Sequence, residues 1–275
     1  MAKIITVTNQ KGGVGKTTTV INLGASLAAA EKKTLLVDMD PQGNAGSGFG
    51  IGRDQVSEKN IYHVLVQEKN LKDIILRTEL EGLDIAPSNQ DLIGAEIELV
   101  NEFSRETRLK QALDGVKDLY DYILIDSPPS LGLLTVNALT ASDSYLVPMQ
   151  CEYYAMEGLS QLTRLAGLVK KGLNPKIEQE GVLLTMFDSR NNLCHQVAGE
   201  IRAHFKSQVY EAVIPRNVKL SECPSHGKPI LLYDVNSKGA ISYLSLAKEM
   251  IRKHEQGQLN LVGHDKKELP LQTSV

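Results

Sequence analysis

No unbroken run of about 18 apolar residues occurs in the sequence, and its least charged stretch, Ser127 to Ser142, holds two prolines with Thr and Asn, so no segment is suited to span a membrane. The amino terminus, Met-Ala-Lys-Ile-Ile-Thr-Val-Thr, lacks the long apolar block and small-residue cleavage site of a secretory leader, and a cytoplasmic protein is expected. Cysteine is scarce. Cys151, Cys194 and Cys223 are odd in number and lie 43 and 29 residues apart, a pattern that argues against both a disulfide framework and a Cys-x-x-Cys metal knuckle and leaves reduced, buried thiols. A chain-wide basic excess is missing too: 30 Lys+Arg stand against 33 Asp+Glu, a formal charge of -3, so any surface for a polyanion must be local. No Pro/Gly/Ser linker and no internal repeat divides the chain.

What is present is ordinary globular composition, 42% apolar and 23% charged over 275 residues. Seven short β-branched runs read as strands: Ile4 to Thr8, Thr34 to Val37, Leu83 to Ala86, Tyr122 to Ile125, Tyr145 to Val147, Val182 to Met186 and Val209 to Ile214. Helical spacing recurs between them, as in Thr18 to Ala30, Gly158 to Lys171 and Cys194 to Lys206. Leu35-Leu36-Val37 and Ile123-Leu124-Ile125 are apolar without alternation, which burial on both faces requires. The expectation is a single α/β domain over 1–254, a doubly wound, mostly parallel sheet of about seven strands with helices on both faces. Within Ser242 to Lys253, Leu244, Ala247, Met250 and Ile251 are expected to face the core. Residues 255–275, with two glycines, a Lys266-Lys267-Glu268 cluster and Pro270, read as a disordered tail.

Gln10-Lys11-Gly12-Gly13-Val14-Gly15-Lys16-Thr17 lies between the first strand and the first helix, where a phosphate-binding loop belongs. Gly12, Gly13 and Gly15 lack Cβ, so successive N–H groups can turn inward around phosphate oxygens at the positive end of the following helix. Lys16 is placed to meet the β- and γ-phosphates, and the Thr17 hydroxyl to meet Mg²⁺. Asp38, Asp40 and Asp126 fall at the carboxyl ends of expected strands, where open α/β sheets bind ligands.

Gln10 and Lys11 depart from the ordinary G-x-x-x-x-G-K-[ST] pattern, and the Lys-Gly-Gly-Val-Gly-Lys-Thr run is the deviant Walker A loop. With Leu36-Val37-Asp38-Met39-Asp40-Pro41-Gln42-Gly43-Asn44, Ile125 to Gly132, Cys151-Glu152-Tyr153-Tyr154-Ala155 and Ile214-Pro215-Arg216-Asn217-Val218, the chain resembles the ParA/MinD group of P-loop ATPases, and within it the chromosome-partitioning members, over residues 1 to about 253. The resemblance implies Mg²⁺-dependent ATP hydrolysis. It places nucleotide contacts at Lys11 through Thr18, with Thr17, Asp38 and Asp126 on the metal, and it makes Lys11, Lys16 and Asp40 catalytic, Asp40 by orienting water. Lys11 is implied to reach the nucleotide of a second subunit, so that ATP bridges a homodimer. Pro215 and Asn217 are implied to line the adenine pocket, where Pro-Arg-Asn is also a turn signal.

Between Met186 and Lys228, six Lys/Arg face four acids, a local basic excess suited to nonspecific phosphate contact. Arg202 and Lys206, at i and i+4, are expected to share a helix face away from Val197, Ile201 and Phe205. The resemblance adds Arg190 and Lys219 as contacts to double-stranded DNA, the latter a Lys where relatives carry Arg, which forgoes the bidentate fork. It further implies a ParB-like centromere-binding partner that stimulates hydrolysis, and nucleoid association of the ATP-bound form. A MinD-like membrane switch is the alternative, disfavoured because Leu259-Asn260-Leu261-Val262 is short and is followed by Gly263-His264-Asp265. A nitrogenase-like iron–sulfur protein is disfavoured because no cysteine closely follows Asp126. With the loop motif beginning at Asn9, an amino-terminal operator-binding domain is not expected.

Overall fold

The computed structural model describes residues 1–152 and 155–265. Tyr153 and Tyr154 of the Cys151 to Ala155 motif, and residues 266–275 of the expected tail, lie outside the described residues.

Seven strands form one sheet: β1 (Lys3–Val7), β2 (Thr34–Asp38), β3 (Leu76–Arg77), β4 (Leu83–Ala86), β5 (Tyr122–Asp126), β6 (Ser144–Gln150) and β7 (Glu178–Thr185). Their order is β3-β4-β2-β5-β1-β6-β7, and every pairing is parallel except the short edge strand β3 against β4. Alternate residues of the central strands serve different cores. Ile5, Val7, Leu36 and Leu124 enter the cluster beneath helix α1 (Lys16–Ala29), whereas Ile4, Leu35, Val37, Ile123 and Ile125 enter the cluster on the opposite face. The unalternating apolar runs follow from this two-sided burial, each fully buried Leu or Ile contributing about 1.5–3 kcal/mol. Helix α2 (Leu133–Ala141) contributes Leu134 and Ala138 to the second face. Helices α3 (Ala155–Gly172) and α4 (Asn192–Phe205) close a third cluster over β6 and β7, where Cys151 and Cys194 are both buried.

The seventh strand is not the expected one. Val209 to Ile214 runs beside β7, with Tyr210 N donating to Val182 O and Ile214 N to Leu184 O, but it makes only isolated bridges. The backbone N–H groups of Glu211 and Ala212 instead donate to the Glu249 carboxylate, each at 3.0 Å, so side-chain capture interrupts the ladder. The seventh position goes to β3, only two residues long.

The closing helix, which includes Glu249, runs Lys238–Asp265, past the boundary set at residue 254. It buries Tyr243, Leu246, Ala247 and Met250, while Leu244 is exposed, contrary to expectation. The inward stripe takes Tyr243 in place of Leu244 because the Tyr243 hydroxyl meets Thr19 Oγ1 at 3.2 Å beneath α1. No described helix is long and apolar enough to cross a membrane.

Candidate nucleotide site

Three adjacent strands deliver the site. β5 lies between β2 and β1, and their carboxyl ends are in register, Asp38 opposite Asp126 and Asp126 opposite Val7. The loop after β1 therefore opens directly beside two aspartates that are distant in sequence.

That loop is held from both sides. Asn9 Nδ2 donates to Pro148 O at 2.8 Å, Lys11 N donates to Asn9 Oδ1 at 3.0 Å, and Thr185 Oγ1 donates to Val14 O at 2.8 Å. Gly13 and Gly15 sit at φ 73° and 90°, a backbone that side-chain-bearing residues adopt only at a cost. A Cβ on Gly12 or Gly13 would meet nothing within 4 Å, so the cradle is open toward the crevice. Gly15 precedes α1, whose first N–H groups have no side-chain cap, leaving donors and dipole for an anion.

Lys16 is buried, and its Nζ donates to Lys11 O at 3.1 Å across the loop. Burial lowers its pKa, opposed by the charges of Asp126 and Asp40. Asp38 accepts from Asp40 N at 3.0 Å and from Ala45 N at 3.1 Å. Asp126 is fully buried, and neither carboxylate oxygen meets a hydrogen-bond donor among the described residues. Burial and then the Asp38 charge push its pKa well up, with Thr17 and Lys16 pulling the other way. A buried carboxylate whose charge is offset by so little is strongly unfavourable unless a further cation meets it. The residues thus fit a divalent metal: Asp126 has Asp38, Thr17 and Lys16 as neighbours, and Asp40, also buried, has its Oδ1 fixed by Gln42 N at 3.0 Å.

Other implied residues lie further out. The end of β7 joins the loop to the Pro215 segment: Met186 Cε and Thr185 Cγ2 are within 4.0 Å of a Cβ built on Gly15, Phe187 bridges Pro215, and Arg216 N donates to Phe187 O at 3.0 Å. Asn217 Oδ1 accepts from Lys219 N at 2.8 Å, capping the short helix Val218–Glu222, which commits the oxygen and leaves the amide nitrogen. Arg190 is 87% exposed and doubly bonded to Asp188, at 3.0 and 2.9 Å. Lys219 pairs with Asp234 at 3.3 Å. Arg202 and Lys206 are both exposed, but α4 ends at Phe205 and Lys206 leaves it at φ 48°, so the two do not share the helical face expected of them.

Three residues of the site, Ser88, Glu152 and Thr185, had no role assigned from sequence. Ser88 Oγ donates to the Asp40 carbonyl, tying the loop after β4 to the loop after β2. Glu152 accepts from the Lys11 ammonium. Glu152 stands within a motif quoted above, so a signal existed; for Ser88 and for the bracing Thr185 none did.

A glycine loop opening a helix after the first strand, opposite two strand-end aspartates, defines a P-loop nucleotide hydrolase. Residues 2–179 match the AAA domain family. The chromosome partitioning protein ParA of Myxococcus xanthus is 60% identical over 253 residues, 92% of this chain and 89% of that one. The sporulation initiation inhibitor protein Soj of Bacillus subtilis is 61% identical over 250 residues, 91% and 98% of the two chains. Among solved structures, cobyrinic acid a,c-diamide synthase from Mycobacterium smegmatis with bound ADP and magnesium matches with a TM-score of 0.82 at 36% identity, covering 94% and 97%. The chain belongs to the ParA/Soj family of chromosome-partitioning P-loop ATPases.

Proposed function

We propose that the protein is an ATP-driven partitioning switch: two ATP-bound copies close face to face, the closed form binds double-stranded DNA nonspecifically, and a ParB-like centromere-binding partner releases it by stimulating hydrolysis. Lys11 carries this reading. Lys16 already occupies the floor of the phosphate cradle, whereas the Lys11 ammonium points away to Glu152 and its side chain is 40% exposed. A second ammonium in the same cradle would repel Lys16; one turned outward can reach a neighbouring subunit once its pair with Glu152 opens.

Within one subunit, backbone N–H groups of 12–17 and the Thr18 position at the start of α1 would hold the phosphates, and Asp126, Asp38 and Thr17 would hold Mg²⁺. The metal, when bound, neutralises charge on the phosphates and on the departing oxygen. Asp40, held by Gln42 N, orients the attacking water. Asn217 offers its amide nitrogen and Pro215 its carbonyl to the base. Arg190, Arg202, Lys206 and Lys219 form the DNA surface, doubled in the closed pair; Arg216, exposed beside Asn217, adds to it. Supporting this placement, all five cations lie in the segment of local positive charge and are exposed. The ATP form is cytoplasmic and associated with the nucleoid.

Gel filtration of Asp40→Ala with ATP, followed by retention on DNA and on liposomes, tests the reading. A stable dimer held by DNA is expected. A monomer under those conditions, or retention on lipid and not on DNA, overturns it.

A further inference from the structure

Met186 stands where the chain leaves β7, at φ 49°. Among the described residues four others that bear side chains have positive φ, and these, Glu31, Glu68, Ser104 and Lys206, are all exposed, whereas Met186 is half-buried. A left-handed backbone is unfavourable for a residue with a Cβ and persists only where its surroundings fix it. Both neighbours are fixed here. Thr185 pairs in register with Gln150 of β6, while Phe187 N donates to Ile214 O at 3.0 Å and Phe187 O accepts from Arg216 N at 3.0 Å.

The conformation redirects the side chain. In an extended strand successive side chains leave on opposite faces, yet Thr185 and Met186 both reach the phosphate loop. Thr185 Oγ1 donates to Val14 O at 2.8 Å, and a Cβ built on Gly15 would stand 4.0 Å from Thr185 Cγ2 and 3.8 Å from Met186 Cε. The thioether therefore covers the side of Gly15 on which other residues carry a side chain. Its sulfur accepts from Gln150 Nε2 at 3.1 Å, which holds the side chain from the neighbouring strand. Gly15, at φ 90°, has no side chain of its own to fix that backbone, and glycine loses more freedom on ordering than any other residue.

We propose that Met186 is a positioning residue for nucleotide binding: turned back by its left-handed backbone and held by Gln150, its thioether braces Gly15 from behind and sets the phosphate loop before the anion arrives. The effect falls on affinity. A loop that is already ordered loses less entropy on binding, so the phosphates are held more tightly, while the placement of Lys16 and the aspartates about the reacting atoms is unchanged. This inference rests on the phosphate site proposed above and needs neither the dimer nor DNA.

The full chain and three variants test it. Met186→Gly takes the left-handed backbone freely and Met186→Ala keeps its strain, but both remove the thioether; Met186→Leu keeps the bulk. In the nucleotide-free proteins, amide hydrogen exchange across 12–16 should quicken in Met186→Gly and Met186→Ala and stay near the parent rate in Met186→Leu, with exchange in β1, β5 and β6 unchanged. Magnesium and N-methylanthraniloyl-labelled ADP should bind the first two variants roughly tenfold more weakly, the loss expected when one further backbone residue must be ordered on binding. KM for ATP should rise to match, with kcat within about twofold of the parent, and Met186→Leu should follow the parent throughout. Parent-like exchange or parent-like affinity in both Met186→Gly and Met186→Ala overturns the proposal. So does quickened exchange across the whole sheet, which would make Met186 a packing residue, and so does a Met186→Leu variant as weak as Met186→Ala. A parent chain that binds no labelled ADP would instead sink the phosphate site, and the exchange result would still decide whether Met186 braces the loop.

Discussion

The Lys11 ammonium donates to the Glu152 carboxylate across 141 residues of sequence, joining the phosphate loop after β1 to the segment after β6. In the single subunit the lysine that distinguishes this loop from an ordinary P-loop is therefore held by its own chain, and closing a dimer through it requires that pair to open.

Glu152→Gln should ease that opening. Both side chains are more than a third exposed, so each pair contributes no more than about 1 kcal/mol; two pairs open per dimer, and the ATP-dependent dimer should form at a concentration lower by at most roughly thirtyfold. Sedimentation velocity in an Asp40→Ala background measures this. A weaker dimer would show that Glu152 acts within the dimer rather than against it.

The strand-end aspartates make stability depend on pH. Burial, partly offset by hydrogen bonds from Asp40 N and Ala45 N, raises Asp38 to about 7, and Asp126 is raised as well. Between the ordinary value of 3.8 and that folded value, the folded state binds protons that the unfolded chain has released, so stability falls as pH rises through the window. The nucleotide-free protein should lose melting temperature between about pH 5 and pH 8, with a shallower fall in MgATP. Glu180, where burial is outweighed only by the hydrogen bond and charge of His254 acting together with Ser144 and Lys3, which leave it at about 2, acts only at lower pH. Asp126→Asn should raise the nucleotide-free melting temperature by a few degrees while abolishing Mg²⁺-dependent nucleotide binding. A pH-independent melting temperature between these limits would contradict the assignment.

Glu249→Ala removes the acceptor that holds Glu211 N and Ala212 N. Urea unfolding should show a loss of about 1–3 kcal/mol, and Glu249→Gln, which keeps one acceptor, a smaller one. Unchanged stability would mean that water replaces the carboxylate at no cost.

Arg190→Ala should leave ATP-dependent dimerisation intact and weaken DNA retention, lowering the slope of log affinity against log salt by about one per subunit. Asp188→Ala should do the reverse by releasing the guanidinium it now binds at two points. Retention unchanged in both variants would remove Arg190 from the DNA surface.

Much of this was legible in the residues because the chemistry is local. Gly12, Gly13 and Gly15 with Lys16 and Thr17 specify a phosphate cradle by backbone conformation alone, and the apolar runs at Leu35 to Val37 and Ile123 to Ile125 report two-sided burial. Two of the errors came where a distant group intervened and one where a helix stopped short. Val209 to Ile214 has strand composition, yet Glu249 takes the N–H groups its ladder needs. Leu244 satisfies helical spacing, yet Tyr243 takes the inward place by reaching Thr19. Lys206 stands at i+4 from Arg202, yet the helix ends one residue before it.

The sequence by itself determined the alternation of strands and helices, the loop that binds phosphate and the residue types at its rim, because periodicity and glycine content act over a few residues. Only the tertiary structure decided that β5 lies between β1 and β2, setting Asp126 in register with Asp38, and that Lys11 meets Glu152. It also turned Met186 back against Gly15. Each is a matter of which distant segments are neighbours, and that is settled by burying the two faces of one sheet.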